Sequence, residues 1–405
     1  MADSKVQPEL VELSDDFPFT GDVTGAVADG SVTDVKVSDM AASKLTGALP
    51  AVSGAALTNL PQAYTKNASD PLITTNSTVG ALWVNQVSGE TYVCTDATTD
   101  ENVWTNIGGG TGDVQPYVFG GTISGYTSGG YRDPASVGNF DGIWKFSFAT
   151  GAQNAAQIGI ITVARHQAVA SSSKNHGYSA GGGTIPSPNI NVIDKFTFAS
   201  DNDATDVGDT VGIINYAGGN SSANHGYICG NDTPTDIIQK YTFAADAGSV
   251  DVANLSSSRQ GNAGQNASAY GYSVHGSAST NIIDKFPFAS DSDATDIGNL
   301  TYARWSSSGQ SSETHGYTSG GDGGPGGNEI DKFTFASDND ATTVGVLTVG
   351  RNNIAGQSSR TFGYSCGGSG PWSNVIDKFA FASDGDATDV GDLPAEKGYF
   401  QGHNY

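Results

Sequence analysis

The sequence is poor in charged residues, in cysteine and in long apolar runs, and each shortage excludes a class of protein. Charged residues make up 15% of the 405 residues, and the net charge is −24. Clustered Lys and Arg that neutralise phosphates are missing, so we expect no nucleic-acid binding. No apolar run has the ~20 residues of a membrane span, and the N-terminus has no signal-peptide pattern. We therefore expect no membrane insertion and synthesis in the cytoplasm.

Three cysteines are too few, and odd in number, for a disulfide framework. Cys229 and Cys366 stand at one repeat position, which holds Ser128, Ala180 and Ser319 in other repeats. This is a position for a small residue, so we expect both thiols to be buried and unreactive.

Glycine is abundant, with 55 residues, and it marks a repeat. The pair Gly-Tyr begins at Gly125, Gly177, Gly226, Gly271, Gly316 and Gly363. A second phrase close to Asp-Lys-Phe places lysines at Lys145, Lys195, Lys240, Lys285, Lys332 and Lys378, spaced 45 to 50 residues apart. A strand-rich repeat of that period predicts a propeller or a repeat array.

Each unit contains four strand-like segments, and the repeats begin and end part-way through a unit. The segment near Gly402 would supply the strand that the first unit lacks, which removes the open sheet edge. The predicted fold is all-β: a six-bladed β-propeller with four-stranded blades at 113–405, its ring closed by mixed termini. Residues 1–64 read as an extended anchor or oligomerisation segment. Residues 65–112 read as a small β-module, with a hairpin at 81–94 closed by Trp104, and a Gly-rich linker.

Aspartates cluster in the turn after the Lys-Phe strand, and these turns are the sharpest candidates for a metal. Closely spaced carboxylates on a loop could hold Ca²⁺, which takes six to eight oxygen ligands. The spacing lacks the EF-hand glycine and glutamate, and aspartate also serves turns by bonding its own backbone. Turn chemistry is the favoured reading and calcium the alternative. The candidate ligands are Asp201, Asp203, Asp206, Asp291, Asp293, Asp296, Asp384, Asp386 and Asp389.

Lysine and aspartate of the Asp-Lys-Phe phrase point to opposite faces of a sheet, so each could pair with an adjacent blade. Trp144 and Gln239 replace the aspartate in two units, so that set of ion pairs is expected to be incomplete. A basic position is shared by Arg165, Arg259, Arg304 and Arg351, with Asn215 and Lys397 assigned to the other two units. It could bind an anion at one channel mouth, but pairing with carboxylates and carbonyls of neighbouring blades is favoured.

The slot before Gly-Tyr holds His176, His225 or His315 but also Tyr270 and Phe362, which indicates packing more than catalysis. No serine elbow, zinc spacing or phosphate loop stands out. We expect a protein that is not an enzyme and has no cofactor, calcium excepted.

The units Tyr-x-Ser-Gly-Gly, Ile-Asp-Lys-Phe and Leu-Thr-x-Ala-Arg resemble a divergent kelch repeat over about 290 residues. The segment 38–50 is similar to repeats in tail-fibre proteins of tailed bacteriophages. The segments 80–85 and 91–97, and the Asp-Lys-Phe-x-Phe-Ala-Ser-Asp repeat, look like virion proteins of marine phages and cyanophages. The resemblance implies a virion fibre or appendage, often a homotrimer, whose N-terminus docks on other tail, neck or capsid proteins.

We therefore expect a virion protein whose propeller recognises a host-surface glycan or protein. Tyr131, Phe140 and Trp372, in loops that interrupt the repeat, could stack on sugar faces or could simply pack within their loops. Two alternatives remain: an architectural collar, tail or capsid-decoration protein, and a glycan-degrading enzyme, which would need a carboxylate pair or a nucleophile.

Overall fold

The computed structural model describes residues 64–107, 119–132, 138–149, 154–186, 188–233, 235–276 and 280–404. In these ranges the chain forms strands and turns and no helix, which confirms the predicted all-β class there. The same ranges contain no helical stretch long and apolar enough to cross a membrane. The predicted anchor, apart from Tyr64, and the Gly-rich linker at 108–112 lie outside the described residues.

Residues 64–106 form one four-stranded sheet in the order β1-β2-β3-β4. Strands β1 and β2 are parallel, and the other pairs are antiparallel. Alternating side chains of β2 and β3 bury Trp83 and Tyr92 against Trp104, whose ring meets Trp83 edge-on at 5.9 Å. The hairpin and the closing tryptophan match the sequence prediction. The strands are β1 (Tyr64–Asn67), β2 (Leu82–Asn85), β3 (Thr91–Asp96) and β4 (Val103–Asn106).

Six more four-stranded antiparallel sheets follow, and we number them one to six along the chain. The first combines both ends of the repeat region, because C-terminal β30 pairs with β5, as the sequence predicts. Its strands, in sheet order, are β30 (Gln401–Asn404), β5 (Ser124–Ser128), β8 (Gly142–Ser147) and β9 (Ala156–Ile160), and a short ladder joins β6 (Tyr131–Arg132) to β7 (Gly138–Asn139).

Sheets two to six each use four consecutive strands. Sheet two is β10 (Val169–Ser172), β11 (His176–Ala180), β12 (Val192–Thr197) and β13 (Thr205–Asp209), and sheet three is β14 (Gly218–Ser221), β15 (His225–Cys229), β16 (Thr235–Thr242) and β17 (Val250–Arg259). Sheet four is β18 (Ala263–Asn266), β19 (Tyr270–Gly276), β20 (Thr280–Pro287) and β21 (Thr295–Asn299). Sheet five is β22 (Ser308–Ser311), β23 (His315–Ser319), β24 (Glu329–Thr334) and β25 (Thr342–Val346), and sheet six is β26 (Ala355–Ser358), β27 (Phe362–Gly368), β28 (Ser373–Ala380) and β29 (Thr388–Asp392).

The two repeated phrases build the contacts within and between sheets. In sheet two, a Cβ on Gly177 would lie 2.3 Å from the Phe196 ring on the paired strand, so the position before the tyrosine must be glycine. The following Tyr178 stacks on Phe243 of the next sheet at 4.7 Å. Aromatic pairs of this kind, each with a buried tyrosine, recur at every junction, and together they account for both phrases. The other tyrosine–phenylalanine pairs are Tyr126–Phe198, Tyr227–Phe288, Tyr272–Phe335, Tyr317–Phe381 and Tyr364–Phe148.

The first-named strand of each sheet is its inner strand. Each inner strand packs against the inner strand of the next sheet, and β30 also packs against β10. This arrangement is β-propeller-like. Cys94, Cys229 and Cys366 are all buried free thiols, as expected for the last two, and burial raises their pKa values.

Candidate ligand-binding site

The C-terminal ends of the inner strands are joined by hydrogen bonds from one sheet to the next. The Ser172 amide donates to Ser221 Oγ at 2.9 Å, and the Ser221 amide donates to Asn266 Oδ1 at 2.7 Å. The series continues through the amides of Asn266, Ser311 and Ser358 to Asn404, whose own amide donates to Ser172 Oγ at 3.2 Å. Six backbone amides and six side-chain oxygens thus form a continuous cycle, which we call the Ser/Asn cycle.

A second cycle lies before the N-terminal ends of the inner strands. Here backbone amides donate to backbone carbonyls: Gln167 to Tyr399, Tyr399 to Asn353, and Asn353 to Ser306, at 2.7 to 2.9 Å. Ser306 donates to Gly261, Gly261 to Tyr216, and Tyr216 back to Gln167. All six residues have positive φ, between 54° and 65°. Five of them are not glycine, and such left-handed backbone is kept only where the surrounding structure enforces it. We call this the mouth cycle.

A cavity of about 120 Å³ runs between the inner strands, and another of about 120 Å³ opens at the mouth cycle. Phe119 lines the first cavity. The segment just after it is fixed at the C-terminal end of β26, because the Gly121 amide donates to Ser358 O at 2.8 Å. The chain therefore enters the sheet array beside the Ser/Asn cycle, at the end opposite the mouth cycle.

Aromatic side chains collect at the mouth cycle and form a continuous group. Tyr399 is the hub, with ring centroids of Tyr131 and Tyr216 at 6.1 Å and of Trp372 at 6.2 Å. The group extends through Tyr216 to Trp305, whose centroids are 6.4 Å apart. We call Tyr131, His166, Tyr216, Trp305, Trp372 and Tyr399 the aromatic platform; each is partly exposed.

Polar contacts fix the platform and leave its rings neutral. His166 Nδ1 donates to Asn139 Oδ1 at 2.8 Å, and burial lowers the pKa of this histidine. Burial, with a smaller contribution from Tyr399, raises the pKa of Tyr216. At the edge of the platform, Arg132 pairs with Glu396 at 2.8 Å. An uncharged aromatic surface with polar groups at its border is the usual lining of a site for a small organic ligand.

The structure brings together two of the three aromatic residues that the sequence singled out. Tyr131 and Trp372 are neighbours in the platform, with centroids 6.1 Å apart. Phe140 is separate: it packs edge-on against Trp144 at 6.0 Å and contributes to the core. Sequence reasoning missed Tyr216, Trp305 and Tyr399. The available signal was the large aromatic residues close behind the basic repeat position, where other units have small or polar residues.

The aspartate-rich turns clasp neighbouring sheets. In sheet two, Asp201 accepts from Lys145 Nζ at 3.3 Å and Asp203 from the Ile160 amide at 3.0 Å, both in sheet one. Asp206, just after the turn, accepts from the Gly208 amide of its own strand β13 at 3.1 Å. The same three roles recur for Asp291, Asp293 and Asp296 and for Asp384, Asp386 and Asp389.

Each of the nine candidate calcium ligands therefore has a donor within the protein. No group of three or more His, Cys, Asp or Glu is arranged to hold a metal ion in the described ranges. The calcium assignment stays a prediction. The lysine partners of these turns confirm inter-sheet ion pairing, here with turn aspartates of the next sheet. Five such pairs occur among the described residues: Lys145–Asp201, Lys195–Asp246, Lys240–Asp291, Lys285–Asp338 and Lys332–Asp384.

The basic repeat position is buried and points away from solvent. Arg351 pairs with Asp377 at 2.9 Å, and neither side chain is exposed. Three more pairs have the same burial: Arg165–Asp194, Arg259–Asp284 and Arg304–Asp331. The arginines thus bind carboxylates and carbonyls, as favoured, but the partners lie in the sheet whose inner strand each arginine precedes and not in a neighbouring one.

The strand register corrects one assignment. Each arginine stands four residues before its inner strand, and in sheet three that residue is Ile214, not Asn215. In the same sheet, Gln239 replaces the buried aspartate. Next to sheet one, Lys397 Nζ lies 2.7 Å from the Trp144 ring centroid, and burial lowers the lysine's pKa well below its usual value. Where the arginine of the basic repeat position is replaced, the aspartate that would pair with it is therefore replaced as well.

No known protein-family model matches the chain, and no curated protein sequence matches it. The resemblance to kelch repeats and to phage virion proteins therefore stays a prediction.

Proposed function

We propose that residues 119–404 form a closed six-bladed, kelch-like propeller whose aromatic platform binds a host-surface glycan. The protein would be an appendage of a bacteriophage virion, anchored to other virion proteins through its N-terminal segment. The observation that carries the proposal is the platform itself: six rings in contact around one mouth of the array, beside a neutral cavity.

The two cycles of hydrogen bonds support the closed propeller. Each passes once through all six inner strands or their approaches and returns to its starting residue. The aromatic stacking pairs also run through all six sheets, since Tyr364 of sheet six stacks on Phe148 beside sheet one. A closed ring would leave only the outer strand of each sheet as an open edge and would hold the platform rigidly.

The platform chemistry favours carbohydrate over other ligands. The C–H face of a sugar packs on aromatic rings, and its hydroxyls bond to neutral polar groups. Neighbouring centroids along the line Trp305, Tyr216, Tyr399 and Tyr131 are 6.1 to 6.4 Å apart. Such a line suits an extended oligosaccharide more than a single sugar.

The position of Phe119 supports outward display of the platform. The chain enters at the Ser/Asn cycle, so a propeller held from its N-terminal side presents the opposite mouth. Weak binding at each mouth would be strengthened by several copies, and a homotrimer fits this use.

A microarray of bacterial surface polysaccharides tests the proposal with the full chain. We expect wild type to bind a subset of glycans, and Trp372→Ala and Tyr399→Asn to weaken binding about tenfold or more, a loss of about 1.4 kcal/mol. Asparagine is chosen because Asn353 holds the equivalent left-handed position. Tyr64→Ala, at an exposed tyrosine of strand β1 in the N-terminal sheet, is the control and should bind normally.

Absence of binding to the whole array, or binding that both platform variants retain, would refute the glycan site. Release of reducing sugars from a bound polysaccharide would instead identify an enzyme. Antibody labelling of intact particles tests the virion assignment: a distal signal supports display, and a buried signal supports an architectural role.

A further inference from the structure

We propose that the space above Gly261 is a subsite for one neutral pyranose unit of the ligand, an inference that rests on the glycan-binding function proposed above. Gly261 is one of the six equivalent residues of the mouth cycle. The other five carry side chains: Gln167, Tyr216, Ser306, Asn353 and Tyr399.

Backbone conformation does not explain the glycine. Gly261 has φ of 65°, and the five other residues adopt φ between 54° and 61° without being glycine. Two of them are tyrosine, so the fold accepts even a bulky residue at this backbone position. The usual reason for glycine in left-handed backbone is therefore insufficient here.

Packing does not explain it either. A Cβ on Gly261 would meet its nearest neighbours, Ser306 N and Oγ, at 3.5 Å and Trp305 Cε3 at 3.6 Å, which are ordinary contacts. By contrast, a Cβ on Gly264 of the adjacent inner strand would lie 1.9 Å from a carbonyl oxygen. What distinguishes Gly261 is the empty space that it leaves at the mouth.

One buried polar atom without a hydrogen-bond partner faces this space. Ser306 is 7% exposed, and its Oγ has no hydrogen-bond partner among the described residues. The same Oγ lies 3.5 Å from the position of a Cβ on Gly261, so it points into the gap. Asn262, also 7% exposed, lines the same cavity, but its amide is engaged elsewhere, since Nδ2 donates to Ser273 Oγ at 2.7 Å. A buried polar atom without a partner is costly unless something bonds to it.

The surroundings define the chemistry of the occupant. Tyr216 and Trp305 flank Gly261 and supply aromatic surface for a C–H face. Among the described residues that line the mouth cavity, none is charged. A carboxylate, sulfate or phosphate would find no counter-ion in this cavity, whereas a sugar hydroxyl can bond to Ser306 Oγ. The subsite therefore selects a neutral, hydroxyl-bearing unit.

The test places a side chain in the space above Gly261 and measures binding to a glycan that the wild-type protein binds on the polysaccharide microarray. Gly261→Tyr copies the residue of two equivalent positions and should keep the wild-type unfolding temperature while weakening binding at least tenfold. Gly261→Ala, the matched control, should bind within about twofold of wild type. Ser306→Ala should weaken binding about fivefold with little change in the unfolding temperature. If Gly261→Tyr lowers the unfolding temperature, Gly261→Gln, copied from Gln167, replaces it with the same expectation.

The outcomes separate the subsite from the platform. If Gly261→Tyr and Gly261→Gln bind normally while Trp372→Ala and Tyr399→Asn lose binding, the subsite proposal is wrong and the platform proposal still holds. Wild-type binding that is restricted to anionic polysaccharides would also overturn it. Loss of binding in the filled variants and in Ser306→Ala, with Gly261→Ala unaffected, supports it.

Discussion

The buried ion pair Arg351–Asp377 can be tested with a double-mutant cycle, because another sheet has uncharged residues at the same two positions. In sheet three the two equivalent positions hold Ile214 and Gln239. The Gln239 side chain there accepts from the Val211 amide at 2.9 Å and donates to the Val211 carbonyl at 3.0 Å. We therefore predict that Arg351→Ile and Asp377→Gln are each harmful alone and tolerated together.

The magnitude follows from burial. Both side chains are fully buried, so removing either partner leaves an uncompensated charge and costs about 3–5 kcal/mol. In the double variant no buried charge remains, and a glutamine can bond to the Thr348 backbone as Gln239 does to Val211. The carbonyls of Ser365 and Gly367 lose their Arg351 donors, at about 1 kcal/mol each. We expect a total loss of about 2 kcal/mol, well below the sum of the single losses.

Equilibrium urea denaturation followed by tryptophan fluorescence measures the cycle, with the free energy of unfolding compared at constant slope. Lys332→Gln breaks an exposed pair with Asp384 and serves as the control, with an expected loss under about 1 kcal/mol. A double variant whose loss equals the sum of the single losses would refute the reasoning, because it would show that the two positions do not act as a pair.

Three further predictions concern packing, pH and metal. Gly177→Ala should lower the free energy of unfolding by about 1–3 kcal/mol in urea denaturation, because its Cβ would overlap the Phe196 ring, whereas Gly385→Ala, where a Cβ meets nothing within 4 Å, should have no such effect. Burial lowers the pKa of His403 to about 4, below the value of about 6.5 in the unfolded chain. The free energy of unfolding is therefore unaffected by this histidine above pH 6.5 and falls by up to about 3 kcal/mol as the pH drops towards 4. His403→Gln, copied from the equivalent Gln357, should flatten the pH dependence of the unfolding midpoint, and an unchanged slope would contradict this. EDTA should leave the thermal unfolding midpoint unchanged, because the turn aspartates already bond to protein donors. A midpoint that falls with EDTA and recovers with Ca²⁺ would contradict this purely structural role of the aspartates and establish the calcium site.

Much of the fold could be predicted because packing contacts that recur in each sheet require the residues of the repeated phrases. The Gly-Tyr and Lys-Phe-x-Phe phrases are fixed by one close approach and one stacking contact per junction, as at Gly177 and Tyr178. Pairing of the C-terminal strand with the first sheet was readable from the truncated units.

The candidate site was harder to predict, because it is made of departures from the repeat that are distant in sequence. Tyr131 and Trp372 stood out in irregular loops, but Tyr216 and Tyr399 lie within regular units, and only the mouth cycle brings them together. Phe140 looked similar in sequence and is instead held in the core by Trp144. The one-residue error at Asn215 arose because the loop before β14 has no arginine to align.

A crystal structure of the full chain with an oligosaccharide that it binds would test the central claim most directly. We expect sugar rings stacked on Tyr399 and Trp372, with one unit above Gly261 and hydrogen-bonded to Ser306 Oγ. Sugar bound at the outer edges of the sheets, or at the Ser/Asn cycle beside Phe119, would contradict it.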